Sequence, residues 1–213
     1  LLGYEILNEP WFGSIPQNFR SAETTVLLDF YRQTAASMRE EDENALIFYE
    51  PLTGGSYAHK LTNWMHLKYD SGTRLPVHPL GEEYAALQAY SYHIYCEQGY
   101  AEELTGDLME ECLGDQTQFL EDRAQDVKNL QTAGFITEFG AVGKNPLQLE
   151  IIRKVTAQAD EHLQSWAYWQ YKNFQDHTTV EPDQGFYDEH GQLHVEKLKI
   201  LTRTYAPAVA GKK

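Results

Sequence analysis

Short apolar runs alternate with longer amphipathic stretches along most of this chain. Five runs have the length of buried strands: residues 3–9, 45–49, 89–95, 135–138 and 165–171. Four segments repeat apolar residues every three to four positions and predict helices: residues 23–39, 116–132, 145–162 and 195–205. This order of strands and helices predicts an α/β protein with a parallel sheet built from βαβ units. A doubly wound sheet and an eight-stranded barrel both fit the order.

Local signals set several predicted element ends. Gly134 is expected to stop the second helix, and Asn145 with Pro146 has the cap and first-turn proline of a helix start. The first helix is expected to bury one stripe of side chains: Val26, Leu27, Phe30, Tyr31, Thr34 and Met38. Residues 52–82 and 96–114 are predicted to be long loops, the second with a helical turn around Glu102. Loops of that length tend to be functional.

Two predicted strands end in a glutamate. Glu9 follows the first strand within Asn8-Glu9-Pro10, and Glu138 ends the fourth strand, before Phe139 and Gly140. A carboxylate directly after an apolar strand is costly unless it is paired or used. Two carboxylates facing each other across a barrel mouth are the groups that glycoside hydrolysis needs. We expect their carboxyl carbons to lie about 5–5.5 Å apart, as in a retaining enzyme.

Two further strand ends carry groups suited to sugar chemistry. Strand alternation puts His93 and Tyr95 on one face, where they could hydrogen-bond the two carboxylates. The fifth strand contains Trp166 and Trp169, and an indole at a strand end can stack on the apolar face of a sugar ring. Each of these residues alone is compatible with ordinary packing, but together they favour a glycosidase.

Composition limits the partners. The 213 residues are 42% hydrophobic, enough for one sizeable core, and the net charge is −15 at pH 7. So acidic a surface repels phosphate backbones, which argues against a nucleic-acid partner, whereas a neutral sugar meets no such barrier. No apolar run reaches the roughly 18 residues of a membrane-spanning helix. No protein partner is implied.

Other chemistries find little support. His190 and His194 have a zinc-like spacing but no third ligand nearby, so no metal site is predicted. Gly54-Gly55 lacks the lysine and hydroxyl pattern of a phosphate-binding loop, and no Gly-x-Ser-x-Gly elbow exists. No cofactor is expected. Cys96 and Cys112 could form a disulfide or remain free thiols.

The strand-end motifs resemble those of the retaining glycoside hydrolases of family 5, which are (β/α)₈ barrels. Asn8-Glu9-Pro10 is similar to the motif that ends the fourth barrel strand, and His93-Ile94-Tyr95 to the sixth-strand motif. The segment 137–140 is similar to the seventh-strand nucleophile motif, and Trp169 to the eighth-strand stacking tryptophan. More narrowly, residues 3–11, 90–96, 136–141 and 166–172 resemble the endoglycoceramidases, as does the segment 203–211.

The resemblance implies a role for each site residue. Glu138 would be the nucleophile, kept ionised by Tyr95, and Glu9 the acid/base, with His93 beside it. Asn8 would contact the sugar 2-hydroxyl and Trp169 would stack on the ring. The implied reaction is double-displacement cleavage of the bond between sugar and ceramide, with transient contact with a lipid surface.

Alternatives to that substrate and role remain open. Steryl-glucoside and glucosylceramide β-glucosidases share the catalytic set, and a non-catalytic sugar- or lipid-binding relative would keep the cleft. An apolar groove for the lipid could be lined by side chains of the loops at 52–82 and 172–190, and ordinary packing of these side chains is the equal alternative: Tyr57, Trp64, Met65, Leu67, Phe174 and Phe186.

The resemblance also predicts the domain organisation. Residues 1–205 would be a partial catalytic domain carrying about strands four to eight, and residues 206–213 a linker stub toward a C-terminal domain. The first three barrel strands and the true N-terminus are expected to be missing, which leaves the chain inactive alone. Secreted, lysosomal and cytosolic locations stay open, with the first two preferred.

Overall fold

The computed structural model describes residues 1–11, 22–52, 72–96, 105–172, 183–188 and 190–202. Its centre is one parallel sheet of five strands, arranged in chain order from β1 to β5. The strands are β1 (Gly3–Glu5), β2 (Leu46–Tyr49), β3 (Gln88–Ile94), β4 (Ala133–Gly140) and β5 (Ser165–Trp169). Each strand pairs with the next along the chain, which is the order of a barrel wall, whereas a doubly wound sheet reverses its order. The expectation of a partial (β/α)₈ barrel is confirmed.

Four α-helices connect or follow these strands. They are α1 (Leu28–Glu41), α2 (Gly106–Asn129), α3 (Pro146–Glu161) and α4 (Val195–Leu201). A π-helical segment, Ala22–Leu27, leads into α1, and a 3₁₀ segment, Glu82–Leu87, leads into β3. Within the described residues no helix has the length and apolar character needed to span a membrane.

The core lies between the outer face of the sheet and the helices. Alternate residues of the central strands point outward and are buried: Ile47, Tyr49, Tyr90, Tyr92, Ile94 and Ile136. Helix α3 contributes Ile151, Ile152 and Val155, and Leu120 of α2 packs into the same cluster. The intervening residues of each strand therefore face the inner side of the barrel arc.

Helix α2 differs most from the sequence expectation. It begins at Gly106, ten positions before the predicted start at residue 116, because the Thr105 side chain caps it by accepting the Leu108 N–H. Met109 and Cys112 in its first turns are buried, so this part is not the predicted loop. The Glu102 turn lies outside the described residues.

Gly134 was predicted to end a helix, and this is wrong: it lies in β4 opposite Tyr90. Helix α2 ends at Asn129, and Gln131 takes the left-handed conformation at its end, with φ of 51°. Glycine at 134 gives room to the Gln164 side chain, because a Cβ there would lie 2.6 Å from Gln164 Oε1 and Gln164 would have to shift.

The buried stripe of α1 is also shifted from the expected one. Leu27 and Tyr31 are buried as predicted, but Val26 and Phe30 are 57% and 43% exposed. Leu28, Ala35 and Arg39 are buried in addition. The π-helical turn before Leu28 adds a residue to the repeat and rotates the face that meets the sheet. Helix α3 matches its prediction, with Asn145 accepting the Leu147 N–H and Pro146 in the first turn.

The remaining outcomes concern strand β1 and the loops. Strand β1 ends at Glu5 rather than residue 9, since only Ile6 N–H still reaches Phe48 O, at 3.2 Å, before the chain turns. Phe186, one of the residues proposed for a lipid groove, stacks on Tyr168 of β5 with ring centroids 5.0 Å apart. This contact agrees with the alternative of ordinary packing. The other residues proposed for a lipid groove lie outside the described residues, as do residues 203–213.

Candidate active site

The site lies at the carboxyl ends of β1 to β5, on the inner face of the arc. Strand β3 places His93 there and leads to Tyr95, while its outward residues Tyr92 and Ile94 are held in the core. The fixed outer side chains determine the direction of the inner ones, because a strand alternates its faces strictly.

A β-bulge brings Glu138 next to His93. Tyr92 pairs with Ile136, but the next pair is His93 with Glu138, so Thr137 is an extra residue on β4. In a regularly alternating strand Glu138, two positions after Ile136, would point toward the core with it, so the bulge turns Glu138 to the inner face. The Thr137 hydroxyl donates to Glu5 Oε1 at 3.0 Å, which links the bulge to β1 across the arc.

Glu9 reaches the same place from β1. Its backbone is left-handed, with φ of 46°, a conformation that costs a non-glycine residue about 1–3 kcal/mol. The Glu9 N–H donates to Glu50 Oε2 at 2.6 Å, which holds that conformation. One oxygen of Glu9 and one of Glu138 lie within 4.8 Å of each other.

His93 lies among three carboxylates. Its Nδ1 is 2.8 Å from Glu9 Oε1 and 3.4 Å from Glu138 Oε2, and its Nε2 is 2.9 Å from Glu50 Oε1. Burial lowers the pKa of His93, but the contacts with Glu50 and Glu9 and the charge of Glu138 outweigh it and raise the pKa to about 10. The ring is therefore an imidazolium near neutral pH, with Nδ1 hydrogen-bonded to Glu9 and Nε2 ion-paired with Glu50.

The two candidate catalytic carboxylates differ in their surroundings. Burial raises the pKa of Glu138, while the Tyr95 hydroxyl, which donates to its Oε2 at 2.7 Å, and the His93 charge lower it. Glu9 is more open, with 37% of its side chain exposed against 20% for Glu138. The contacts expected of Tyr95 and His93 are present; the catalytic roles stay predictions.

Glu50 is a member of this site that the sequence reading missed. It follows β2 directly and is 1% exposed, and its carbonyl accepts a hydrogen bond from the Tyr31 hydroxyl at 2.7 Å. The signal for it was present, because Glu50 ends an apolar strand just as Glu9 and Glu138 were expected to do.

The other predicted residues lie at the margins of the site. Asn8 is exposed beside Glu9, and Trp169 is half-buried at the end of β5, where its carbonyl accepts the Ala141 N–H at 2.7 Å. Cys96 and Cys112 form a disulfide that joins the chain just after β3 to the first turns of α2.

Two groups have a metal-like arrangement of ligand atoms within the described residues: Glu9, His93 and Glu138, and Glu5, Glu50 and His93. Both depend on His93, where a metal would have to displace a proton that the surrounding carboxylates stabilise. His190 and His194 belong to neither group.

Comparison with known families identifies the chain. The model of the cellulase family, glycosyl hydrolase family 5, matches residues 1–175. The chain belongs to glycosyl hydrolase family 5. This places the paired glutamates on a fold whose chemistry occurs at the strand ends.

Two similar curated proteins are endoglycoceramidases. The protein from Cyanea nozakii is 28% identical over 219 aligned positions, covering 99% of this chain and 38% of the relative. The protein from Hydra vulgaris is 25% identical, covering 100% and 36%. The chain thus spans less than half the length of these curated relatives.

Solved structures share the fold at lower identity. Endo-glycoceramidase II from Rhodococcus sp. in complex with ganglioside GM3 matches with a TM-score of 0.68 and 18% identity, covering 93% of this chain and 40% of that chain. The cellulose synthase subunit Z from Clostridioides difficile matches with a TM-score of 0.60 and 17% identity, covering 94% and 61%.

Proposed function

We propose that the full-length protein containing this chain is a retaining β-glycosidase that cleaves the bond between sugar and ceramide in glycosphingolipids. The observation that carries the proposal is the approach of Glu9 and Glu138, which have oxygens within 4.8 Å of each other, both beside His93 Nδ1. That approach suits a carboxyl spacing of about 5–5.5 Å, which leaves no room for the water that an inverting enzyme uses.

In the first step, the Glu138 carboxylate attacks the anomeric carbon while the Glu9 carboxylic acid protonates the departing oxygen. The bond between the anomeric carbon and that oxygen breaks, ceramide leaves with its hydroxyl, and a glycosyl ester forms on Glu138. Tyr95 supports this step because its hydrogen bond favours the ionised form of Glu138.

In the second step, Glu9 acts as a base. It takes a proton from water, the resulting oxygen attacks the anomeric carbon, and the ester bond to Glu138 breaks, releasing the sugar with retained configuration. Asn8 would contact the sugar 2-hydroxyl, and Trp169 would stack on the ring.

The substrate class rests on the relatives. The curated relatives are named endoglycoceramidase, and the Rhodococcus enzyme was solved with ganglioside GM3. A glycosphingolipid is presented at a lipid surface, so the enzyme would contact that surface transiently. A panel of glycosylceramides, with glucosylceramide and steryl glucosides, tests this assignment in the full-length protein. If only steryl glucosides are hydrolysed, the aglycone is a sterol and not ceramide. If the glycolipids bind but none is hydrolysed, the protein is a non-catalytic binding protein.

Removing each carboxylate separately tests the division of roles. Glu138→Gln should lower turnover of every substrate by at least about 10⁴-fold, because no covalent ester can form. Glu9→Gln should lower turnover of the ceramide glycoside by about 10²–10⁴-fold but spare formation of the glycosyl-enzyme from a dinitrophenyl glycoside, whose leaving group needs no proton. Stopped-flow release of dinitrophenolate measures that step, and equal loss of it in both variants would refute the assignment.

A further inference from the structure

Glu50 contacts both the backbone of Glu9 and the imidazole ring of His93, which itself lies beside Glu9 and Glu138. One of its oxygens, Oε2, accepts the Glu9 N–H at 2.6 Å, and the other, Oε1, lies 2.9 Å from His93 Nε2. Only 2% of the Glu50 side chain and 4% of the His93 side chain are exposed. A buried carboxylate with water excluded is retained only where its charge is compensated.

The charge that compensates Glu50 is the His93 imidazolium: burial raises the pKa of Glu50, and the contact with His93 and its charge lower it. The charged and titratable groups around this ring are Glu9 after β1, Glu50 after β2, Tyr95 after β3, Glu138 on β4, and Glu5 on β1, which shares the Glu50 side of the ring. Tyr31 of α1 fixes the Glu50 backbone from the helix side. Within the described residues, no Lys or Arg is in ion-pair contact with these carboxylates.

We propose that Glu50 is a positioning residue: its carboxylate keeps His93 protonated and oriented toward Glu9 and Glu138, and it anchors the Glu9 backbone. This inference rests on the proposed function for its kinetic consequence. The geometry carries it, since one buried side chain uses its two oxygens on two parts of the site. Without Glu50, Nε2 would lose its ionic partner and the N–H of Glu9 would lose its acceptor.

The consequence for catalysis follows from charge. Glu50 adds one negative charge to the cluster. Activity needs two protons in that cluster: one on Glu9, which acts as the acid, and one on His93, which contacts the carboxylates. Removing a negative charge lowers the pKa of every proton in a coupled cluster. The alkaline limb of activity, where the first of these protons leaves, must therefore move to lower pH.

The experiment compares three variants of the full-length enzyme. Glu50→Gln removes the charge at constant size, and Glu50→Asp keeps the charge. Glu23→Gln is the matched control, because Glu23 is also buried and also accepts backbone N–H groups, from Leu52 and Arg74, but lies outside the site. The pH profiles of kcat and kcat/KM on an aryl β-glycoside and the Tm of each variant are measured.

For Glu50→Gln we expect kcat to fall by up to about 100-fold, with KM less affected, and the alkaline limb to move down by about 1–3 pH units. Glu50→Asp should keep the wild-type limb even if its kcat is lower, and Glu23→Gln should change Tm alone. An alkaline limb that stays at its wild-type pH in Glu50→Gln would overturn the proposal, because a structural residue changes Tm without moving the limb.

A second measurement does not depend on glycosidase activity. The full-length protein is labelled with ring-¹⁵N histidine, and the His93 signals are assigned by their loss in His93→Ala. The imidazolium signals should persist to about pH 9 or above in wild type and Glu23→Gln, and should titrate at lower pH in Glu50→Gln. If they titrate alike in all three proteins, the proposal about Glu50 fails; if only the aryl glycoside assay is blank for wild type, the proposed function fails instead.

Discussion

At the scale of single residues, the His93 imidazolium contacts three carboxylates that lie on or just after three different strands. His93 contacts Glu9, Glu50 and Glu138 at distances of 2.8–3.4 Å, so its positive charge offsets part of their mutual repulsion. Burial favours a protonated Glu138, and the His93 charge and the Tyr95 hydrogen bond oppose it. The balance among these effects decides which carboxyl group holds a proton and which one can attack.

Removing the Tyr95 hydroxyl tests that balance. Tyr95→Phe takes away a hydrogen bond that lowers the pKa of Glu138, so this pKa rises. Since the nucleophile must be ionised, the acidic limb of kcat/KM should move up by about one pH unit. Tyr92→Phe is the control: Tyr92 lies on the same strand with its hydroxyl donating to Gln164 Oε1 on the opposite face. It should cost about 1 kcal/mol of stability and leave the limb in place; an unmoved limb in Tyr95→Phe contradicts the account.

Most residues of this site could be predicted from the sequence, but the backbone features that bring them together could not. Glu9, His93, Tyr95 and Glu138 were predictable because each lies at or near the end of an apolar run in the sequence, and Glu50 obeys the same rule. The β-bulge at Thr137 was not predictable, since a one-residue shift in pairing leaves no mark on local periodicity. The left-handed backbone at Glu9 likewise depends on a contact with Glu50, 41 positions away.

At the scale of elements, helix α2 supports the strand that carries His93. The disulfide from Cys112 ties it to the chain after β3, and Asp126 accepts the Thr73 N–H at 3.0 Å while paired with Arg123 at 2.8 Å. The sequence predicts a loop for its first ten residues because two glycines and four acidic residues weaken the apolar repeat there. The cap at Thr105 was the signal that could have corrected this.

Two glycine substitutions separate packing from helix propensity. Gly134→Ala puts a methyl group 2.6 Å from Gln164 Oε1 and 2.8 Å from Val127 Cγ2, so we expect a loss of about 1–3 kcal/mol in the free energy of unfolding. Gly114→Ala, on α2 with open space around its Cβ, should add about 0.5–1 kcal/mol. Urea unfolding of the full-length protein measures both, and equal effects would refute the packing assigned to β4.

At the scale of the whole molecule, the described sheet is an arc with β1 and β5 at its edges. Strands with unpaired edges can pair with strands of other molecules, which promotes association. We therefore predict that the 213-residue chain expressed alone associates and does not hydrolyse β-glycosides, in contrast to the full-length protein. Size-exclusion chromatography with an aryl glycoside assay checks this, and a monomeric, active chain would contradict it.

The most direct test of the central claim is to trap the glycosyl-enzyme on Glu138. The full-length protein is incubated with a 2-deoxy-2-fluoro-β-glycosyl fluoride, which forms the ester readily and hydrolyses it slowly, and its peptides are analysed by mass spectrometry. The account predicts one added fluorosugar on the peptide that contains Glu138, and none in Glu138→Gln. A label on Glu9, or release of the α-anomer as first product without any label, would contradict it.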